Sequence, residues 1–284
     1  MARHNTIAAR AERLLGRSVM ATNPVAGGSS STTIRLRLAN GHSALIKVRA
    51  GAPAGFFASE AAGLRWLAKD DPGLVAKVLA VADDALILEW VESTRPSADA
   101  ALDFGRRLAR LHLHGAPSYG ASTPGFIGPL PLPNKGASTW PEFYVTRRVL
   151  PYLKLAVDRG NITDHDAATI DGAIHRIPDA AGPSEPISRI HGDLWSGNLL
   201  WTADHVVLID PAAHGGHRET DLAMLALFGA PHLDRILEAY QEESPLAAGW
   251  EERRGLHQLH PLLVHAALFG GQYAARAAAI AERL

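Results

Sequence analysis

The chain has 284 residues, with 28 Lys and Arg against 29 Asp and Glu, a formal net charge of −1, and no cysteine. Disulfide frameworks, thiolate metal sites and cysteine nucleophiles are therefore excluded, and the basic excess of a nucleic-acid binder is missing. With 47% hydrophobic and 20% charged residues the composition is globular, enough for one large domain or two lobes.

Met1-Ala2-Arg3-His4-Asn5 shows no apolar signal core, and no apolar run is long enough to span a bilayer. The expectation is a soluble, cytoplasmic protein with no nucleic-acid or membrane partner. The first 20 residues suit a helix, with Ile7, Leu14 and Leu15 apolar. Pro24 to Thr32 is a small-residue turn containing Gly27, Gly28 and Ser29. Thr33 to Leu38 alternates with the period of a half-buried strand, Asn40-Gly41 is a hairpin signal, and Ser43 to Val48 reads as the return strand. Phe57 to Ala68 reads as a helix and Ala85 to Val91 as a buried strand. Glu92 to Ser97 breaks the pattern, which predicts a β-rich lobe over 1–92 and a mainly helical lobe over 93–284. Asp103 to His112 is amphipathic. Residues 115–139 are rich in Pro, Gly and Ser, a loop length that usually carries function. The remainder is helical in character except near 187–211, where Leu199-Leu200-Trp201 and Val206 to Ile209 flank a turn at Ala203-Asp204-His205.

The chemistry concentrates in Ile190-His191-Gly192-Asp193-Leu194-Trp195-Ser196-Gly197-Asn198, followed by Asp210 at the end of the second apolar run. A hairpin there brings three oxygen-bearing side chains to one edge. Hard cations such as Mg²⁺ take oxygen ligands, a role that suits Asn198 and Asp210. Asp193 can instead accept a proton from an attacking hydroxyl.

His-x-Asp-x-x-x-x-Asn followed by Asp is the catalytic-loop pattern of protein-kinase-like phosphotransferases. Within that group the chain resembles the fructosamine (ketosamine-3-) kinase family. The resemblance rests on His191 to Asn198, Ile209-Asp210-Pro211-Ala212, Gly216 to Met224, Phe228-Gly229, Leu268-Phe269-Gly270-Gly271, Gly125 to Gly128 and the Trp140, Phe143, Arg147 spacing. It implies an α+β, two-lobed protein-kinase-like fold and an ATP- and Mg²⁺-dependent transfer of phosphate to a sugar hydroxyl of a small or protein-borne ketoamine. It also implies a phosphate-holding lysine, Lys47, an acid that orients it, Glu60, and an adenine-contacting segment, Glu89-Trp90-Val91. The turn at Gly27, Gly28 and Ser29 would offer backbone N–H groups to phosphate. Asp221 resembles the buried acid that braces the catalytic loop, and Trp195 would lie against the sugar or amine. Many relatives carry a cysteine in the glycine-rich turn. Serines at 29–31 leave no thiol control here.

Blander readings stand beside these. Glu60 and Lys47 taken singly are surface residues, Asp193 with Asn198 caps a turn, and Trp195 is a core anchor. His191 braces the loop rather than titrating, and His217, Arg218 and Glu219 form a structural ion-pair network. His257, His260 and His265 lack the acid of a metalloprotease pattern, and Leu262, Leu263, Ala267 and Leu268 read as a core stripe. Two other functions fit the same loop: an aminoglycoside- or choline-type phosphotransferase, and a nucleotide-binding pseudokinase.

Overall fold

The computed structural model describes residues 2–25 and 31–284, with side chains described for 7–25 and 31–284. Gly27, Gly28 and Ser29 lie outside the described residues.

The amino-terminal part runs α1 (Ala2–Leu15), β1 (Val19–Pro24), β2 (Thr32–Leu38), β3 (Ser43–Val48), α2 (Phe56–Leu67), β4 (Val78–Ala82) and β5 (Ala85–Glu89). Among the described residues its five strands form one antiparallel sheet in the order β1-β2-β3-β5-β4. Alternation sorts the two faces of that sheet. Ile34, Leu36, Ala44, Ile46 and Ile87 pack with Ala11 of α1, while Leu86 and Leu88 face the cluster that contains α2. Lys47 falls on the second face, pointed at α2.

After an irregular stretch over 90–97 the chain continues with α3 (Ala98–Leu113), β6 (Gly125–Ile127), β7 (Leu130–Leu132), α4 (Trp140–Phe143), α5 (Leu150–Asp158), α6 (Asp164–Ala173) and α7 (Ile177–Ala180). Four three-residue strands follow, β8 (Ser188–Ile190), β9 (Leu199–Trp201), β10 (Val206–Leu208) and β11 (His214–Gly216). The chain ends in α8 (Arg218–Phe228), α9 (Leu233–Glu243), α10 (Trp250–Phe269) and α11 (Gln272–Ala281). The β9–β10 hairpin pairs Leu199 with Leu208 and Trp201 with Val206. It is tied to the strand-rich part by Ala76 N–H donating to the Leu208 carbonyl at 3.0 Å and Leu208 N–H to the Leu74 carbonyl at 2.8 Å.

Several expectations shift. The amphipathic helix begins at Ala98, because the Ser97 side chain caps it by accepting from Ala100 N–H at 3.2 Å. The buried strand stops at Glu89, and Trp90 and Val91 run on irregularly. β1, β4 and the short pairs β6–β7 and β8–β11 have no counterpart in the sequence pattern. Between α4 and α5 a π-helical segment, Tyr144–Val149, absorbs Pro151. Proline has no N–H for the Arg147 carbonyl four residues back, and the Arg148 guanidinium donates to that carbonyl instead, at 3.0 Å.

Candidate active site

Gly192, at φ +80°, turns the chain between β8 and the segment that carries Asp193 and Asn198. Asp221, fully buried in the first turn of α8, fixes that turn. It accepts from His191 N–H at 2.7 Å, Gly192 N–H at 2.9 Å and the His112 ring at 3.2 Å. Burial works against its charge, but the His112 hydrogen bond and the backbone N–H groups outweigh it and hold its pKa below the usual carboxylate range. His191 accepts from Asp193 N–H on Nδ1 at 3.2 Å and donates from Nε2 to the Ile209 carbonyl at 2.9 Å. The ring thus links the two arms that carry Asp193 and Asp210, and burial keeps it neutral.

Asn198 donates from Nδ2 to the Asp193 carbonyl at 2.8 Å and to Asp193 Oδ2 at 3.2 Å. Among the described residues no hydrogen bond is made by Asp193 Oδ1 or by Asn198 Oδ1, so one proton acceptor and one amide oxygen stay open. Burial first, then the charge of Asp210, pushes the Asp193 carboxyl up to about 7. Asp210 follows β10 at φ 55°, a left-handed conformation that Asp tolerates better than most residues.

Lys47, 6% exposed, reaches across from β3. Its Nζ donates to Glu60 Oε1 of α2 at 2.6 Å and to Asp210 Oδ1. Burial disfavours its charge, yet Glu60 and then Asp210 outweigh it and raise its pKa above the ordinary lysine value. Residues 47, 60, 193, 198 and 210 therefore form one constellation, drawn from three distant segments of the chain.

All five line a single cavity of about 1320 Å³, and so do Glu89, Trp90, Val91 and Trp195. That exceeds the ~300–1,000 Å³ of an ordinary small-molecule site and suits two ligands side by side. One end is apolar, walled by Leu45, Ala76, Leu88, Leu200 and Ile209. Trp90 carries Arg35 at 4.2 Å from its ring centre and donates to Glu92 at 2.8 Å. The cavity is roofed by residues 116–118, 120–129, 132 and 134, and Phe126 of β6 packs against Phe56 of α2 with ring centres 5.0 Å apart.

That roof is held from behind by Arg148, which is fully buried. It donates to the Pro133 carbonyl at 2.6 Å and to Asn134 Oδ1 at 2.7 Å. Among the described residues it has no carboxylate partner, and burial pushes its pKa down to about 10. Asn134, Phe228, His265, Phe269 and Tyr273 also line the cavity, a role that no sequence pattern assigns to them. Phe228-Gly229 and Leu268-Phe269-Gly270-Gly271 were the available signal.

The histidine-rich helix α10 does not gather a metal from residues 257, 260 and 265. His257 faces Glu219 at 3.3 Å, His260 donates to the Arg148 carbonyl at 3.0 Å, and His265 donates to the Pro261 carbonyl at 2.8 Å. His217, Glu219 and His257 do converge within 4.8 Å. The Arg253 guanidinium occupies both Glu219 oxygens, at 2.6 and 3.1 Å, where a cation would sit. Arg218 pairs with Glu185 at 2.7 Å, so this cluster is an ion-pair network.

A family model described as fructosamine kinase matches residues 3–284. The probable ketoamine kinase YniA of Escherichia coli strain K12 is 33% identical over 267 residues, 92% of each chain. The crystal structure of the fructosamine-3-kinase candidate of Thermobifida fusca YX-ER1 superposes with a TM-score of 0.94 at 48% identity, covering 99% of both chains. Macrolide 2'-phosphotransferase MphH of Brachybacterium faecium shares the fold, with a TM-score of 0.63 at 15% identity over 97% of this chain and 96% of that one. Among the described residues no helix is long and apolar enough to cross a membrane.

Proposed function

The chain belongs to the fructosamine kinase family and is a phosphotransferase of the kinase-like fold. From that premise we propose that it transfers the γ-phosphoryl group of ATP to a sugar hydroxyl of a ketoamine in the cytoplasm. The observation that carries this reading is the convergence of Lys47, Asp193, Asn198 and Asp210 on one cavity with room for two ligands.

In this reading the adenine lies between the apolar walls beside Glu89-Trp90-Val91, and Lys47, oriented by Glu60, holds phosphate oxygens. By family likeness the segment with Gly27, Gly28 and Ser29, outside the described residues, would offer backbone amides to phosphate. Asp193 Oδ1 meets the sugar hydroxyl. A bond forms between that oxygen and the γ-phosphorus, and the bond to the β–γ bridging oxygen breaks. The hydroxyl proton passes to Asp193, and ADP leaves. Because such a transition state is loose, alignment and charge neutralisation supply most of the rate. Asn198 Oδ1 and the Asp210 carboxylate are an all-oxygen donor set that fits Mg²⁺, which when bound would neutralise phosphate charge.

By family likeness the accepting hydroxyl is that on carbon 3. A phosphate there is expelled once the neighbouring carbons form an enaminol, and hydrolysis then frees the amine, so the modification is reversed. The test is ADP release with ribulosamine, fructosamine and an aminoglycoside as acceptors. Turnover is expected on a ketoamine, and Asp193→Asn should lower kcat by at least about 100-fold while ATP affinity holds. Turnover on the aminoglycoside alone would overturn the reading.

A further inference from the structure

One end of the cavity is built from aromatic rings. Trp195 lies two residues beyond Asp193 and meets Phe228 of α8 edge-on at 6.1 Å between ring centres. Phe228 packs on His265 at 4.8 Å, and His265 lies 5.1 Å from Tyr273 and 5.8 Å from Phe269. The last two face each other at 6.2 Å. The wall therefore starts at the catalytic segment and leads away from it.

The backbone is shaped to make this wall. Gly270 and Gly271 sit at φ +64° with ψ −146° and −137°, a region that side chains close off. They break what would be one helix, so that Phe269 ends α10 and Tyr273 opens α11. Phe269 is left 61% exposed and Trp195 39% exposed, an apolar surface uncovered in the free protein.

The charges select the occupant. Among the described residues that line the cavity, Lys47 is the only Lys or Arg, and it is engaged by Glu60 and Asp210. Two residues before Trp195 the carboxyl group of Asp193 lines the same cavity. His265 donates its Nδ1–H to the Pro261 carbonyl, so Nε2 carries a lone pair, and burial lowers its pKa and keeps the ring neutral. An anionic group finds no free Lys or Arg among the described residues that line the cavity. A protonated amine finds aromatic faces, an acceptor nitrogen and a nearby carboxylate.

We propose that the recess bounded by Trp195, Phe228, His265, Phe269 and Tyr273 is the subsite for the nitrogen substituent of the ketoamine, and that it selects an apolar or aromatic substituent over one bearing a carboxylate. The inference rests on the ketoamine kinase reading and adds which ketoamines are taken. With the sugar hydroxyl at Asp193, the amine and its substituent run along Trp195 into the recess, where a flat or aliphatic group covers Phe269 and Tyr273.

The full-length enzyme is assayed by ADP release with two fructose ketoamines, one made from benzylamine and one from glycine. The benzylamine adduct should show kcat/KM about tenfold or more above the glycine adduct. Phe269→Ala should shrink that ratio about tenfold through KM of the benzylamine adduct. Phe269→Lys, which puts a cation at the exposed rim, should turn the preference toward the glycine adduct. Equal kcat/KM for the two adducts in the wild type, or an unchanged ratio in both variants, would overturn the subsite. Failure to phosphorylate either adduct would sink the ketoamine reading itself and the subsite with it.

Discussion

Gly192→Ala probes the positioning of Asp193 without touching any charge. An added Cβ would lie 2.3 Å from the Ala212 carbonyl oxygen, 3.0 Å from its carbon and 3.0 Å from His214 Cε1. Two of these neighbours are backbone and the third is a buried ring that donates to the Ala212 carbonyl at 2.7 Å, so none can step aside cheaply. An ordinary contact of carbon with oxygen needs about 3.3 Å, so the 191–193 turn must retreat by about 1 Å. The left-handed backbone at φ +80° adds about 1–2 kcal/mol for any residue with a Cβ. Two hydrogen bonds to Asp221 resist the movement from the other side. Displacing a reacting group by about 1 Å costs about 100-fold in rate. The expected result is kcat down about 100-fold with KM for ATP close to wild type, because Lys47 and Glu60 are on other elements. Steady-state kinetics with a ketoamine and a thermal melt measure both effects. A folded Gly192→Ala protein with kcat within threefold of wild type would refute the claim that Asp193 works from this fixed turn.

Lys47→Met removes a charged hydrogen bond of about 1.5–3 kcal/mol, so kcat/KM for ATP should fall about 10- to 100-fold. An unchanged value in a nucleotide titration would remove Lys47 from the phosphate site. Arg148→Met strips the Pro133 and Asn134 acceptors of their donor, which should cost about 3 kcal/mol in urea unfolding and raise KM for the sugar. Arg148→Lys should not rescue it, because one ammonium cannot reproduce the planar fork. His260 is held neutral, its pKa lowered to about 3 by burial and then by the Arg148 charge, while an unfolded histidine titrates near 6.5. Acid therefore protonates the unfolded chain first, so stability present above pH 6.5 is lost as pH falls. Between pH 7 and 5 this group alone accounts for about 2 kcal/mol of loss. Asn at 260 keeps a donor for the Arg148 carbonyl and does not titrate. His260→Asn should flatten the pH dependence of the urea-unfolding free energy by that amount, and an identical slope would refute the assignment.

What the sequence discloses tracks how local each feature is. Asp193, Asn198 and Asp210 lie within eighteen residues around one hairpin, and the β9–β10 pairing brings Asn198 and Asp210 to the same end of it. Lys47 and Glu60 became visible only through family likeness, because nothing in a period-two strand says that one of its polar positions is turned into a cavity. β1 was hidden by composition: Val19–Pro24 is an edge strand with Asn and Pro and no buried residue, so it presents no alternation to detect. β4 is interrupted by an irregularity between Val78 and Ala80, which breaks the period.

The aromatic recess was hidden for a different reason. Residues 265, 269 and 273 fall at helical spacing, and in a continuous helix they would read as part of the same core stripe as Leu262, Leu263 and Ala267. Those three are buried as expected, with Leu268 half-covered at the cavity wall. The departure is made by Gly270 and Gly271, whose positive φ ends α10 and restarts the chain as α11. A stripe that is all core along one unbroken helix becomes core plus binding wall when two glycines bend it, so the glycine pair, rather than the aromatic count, carries the information about function.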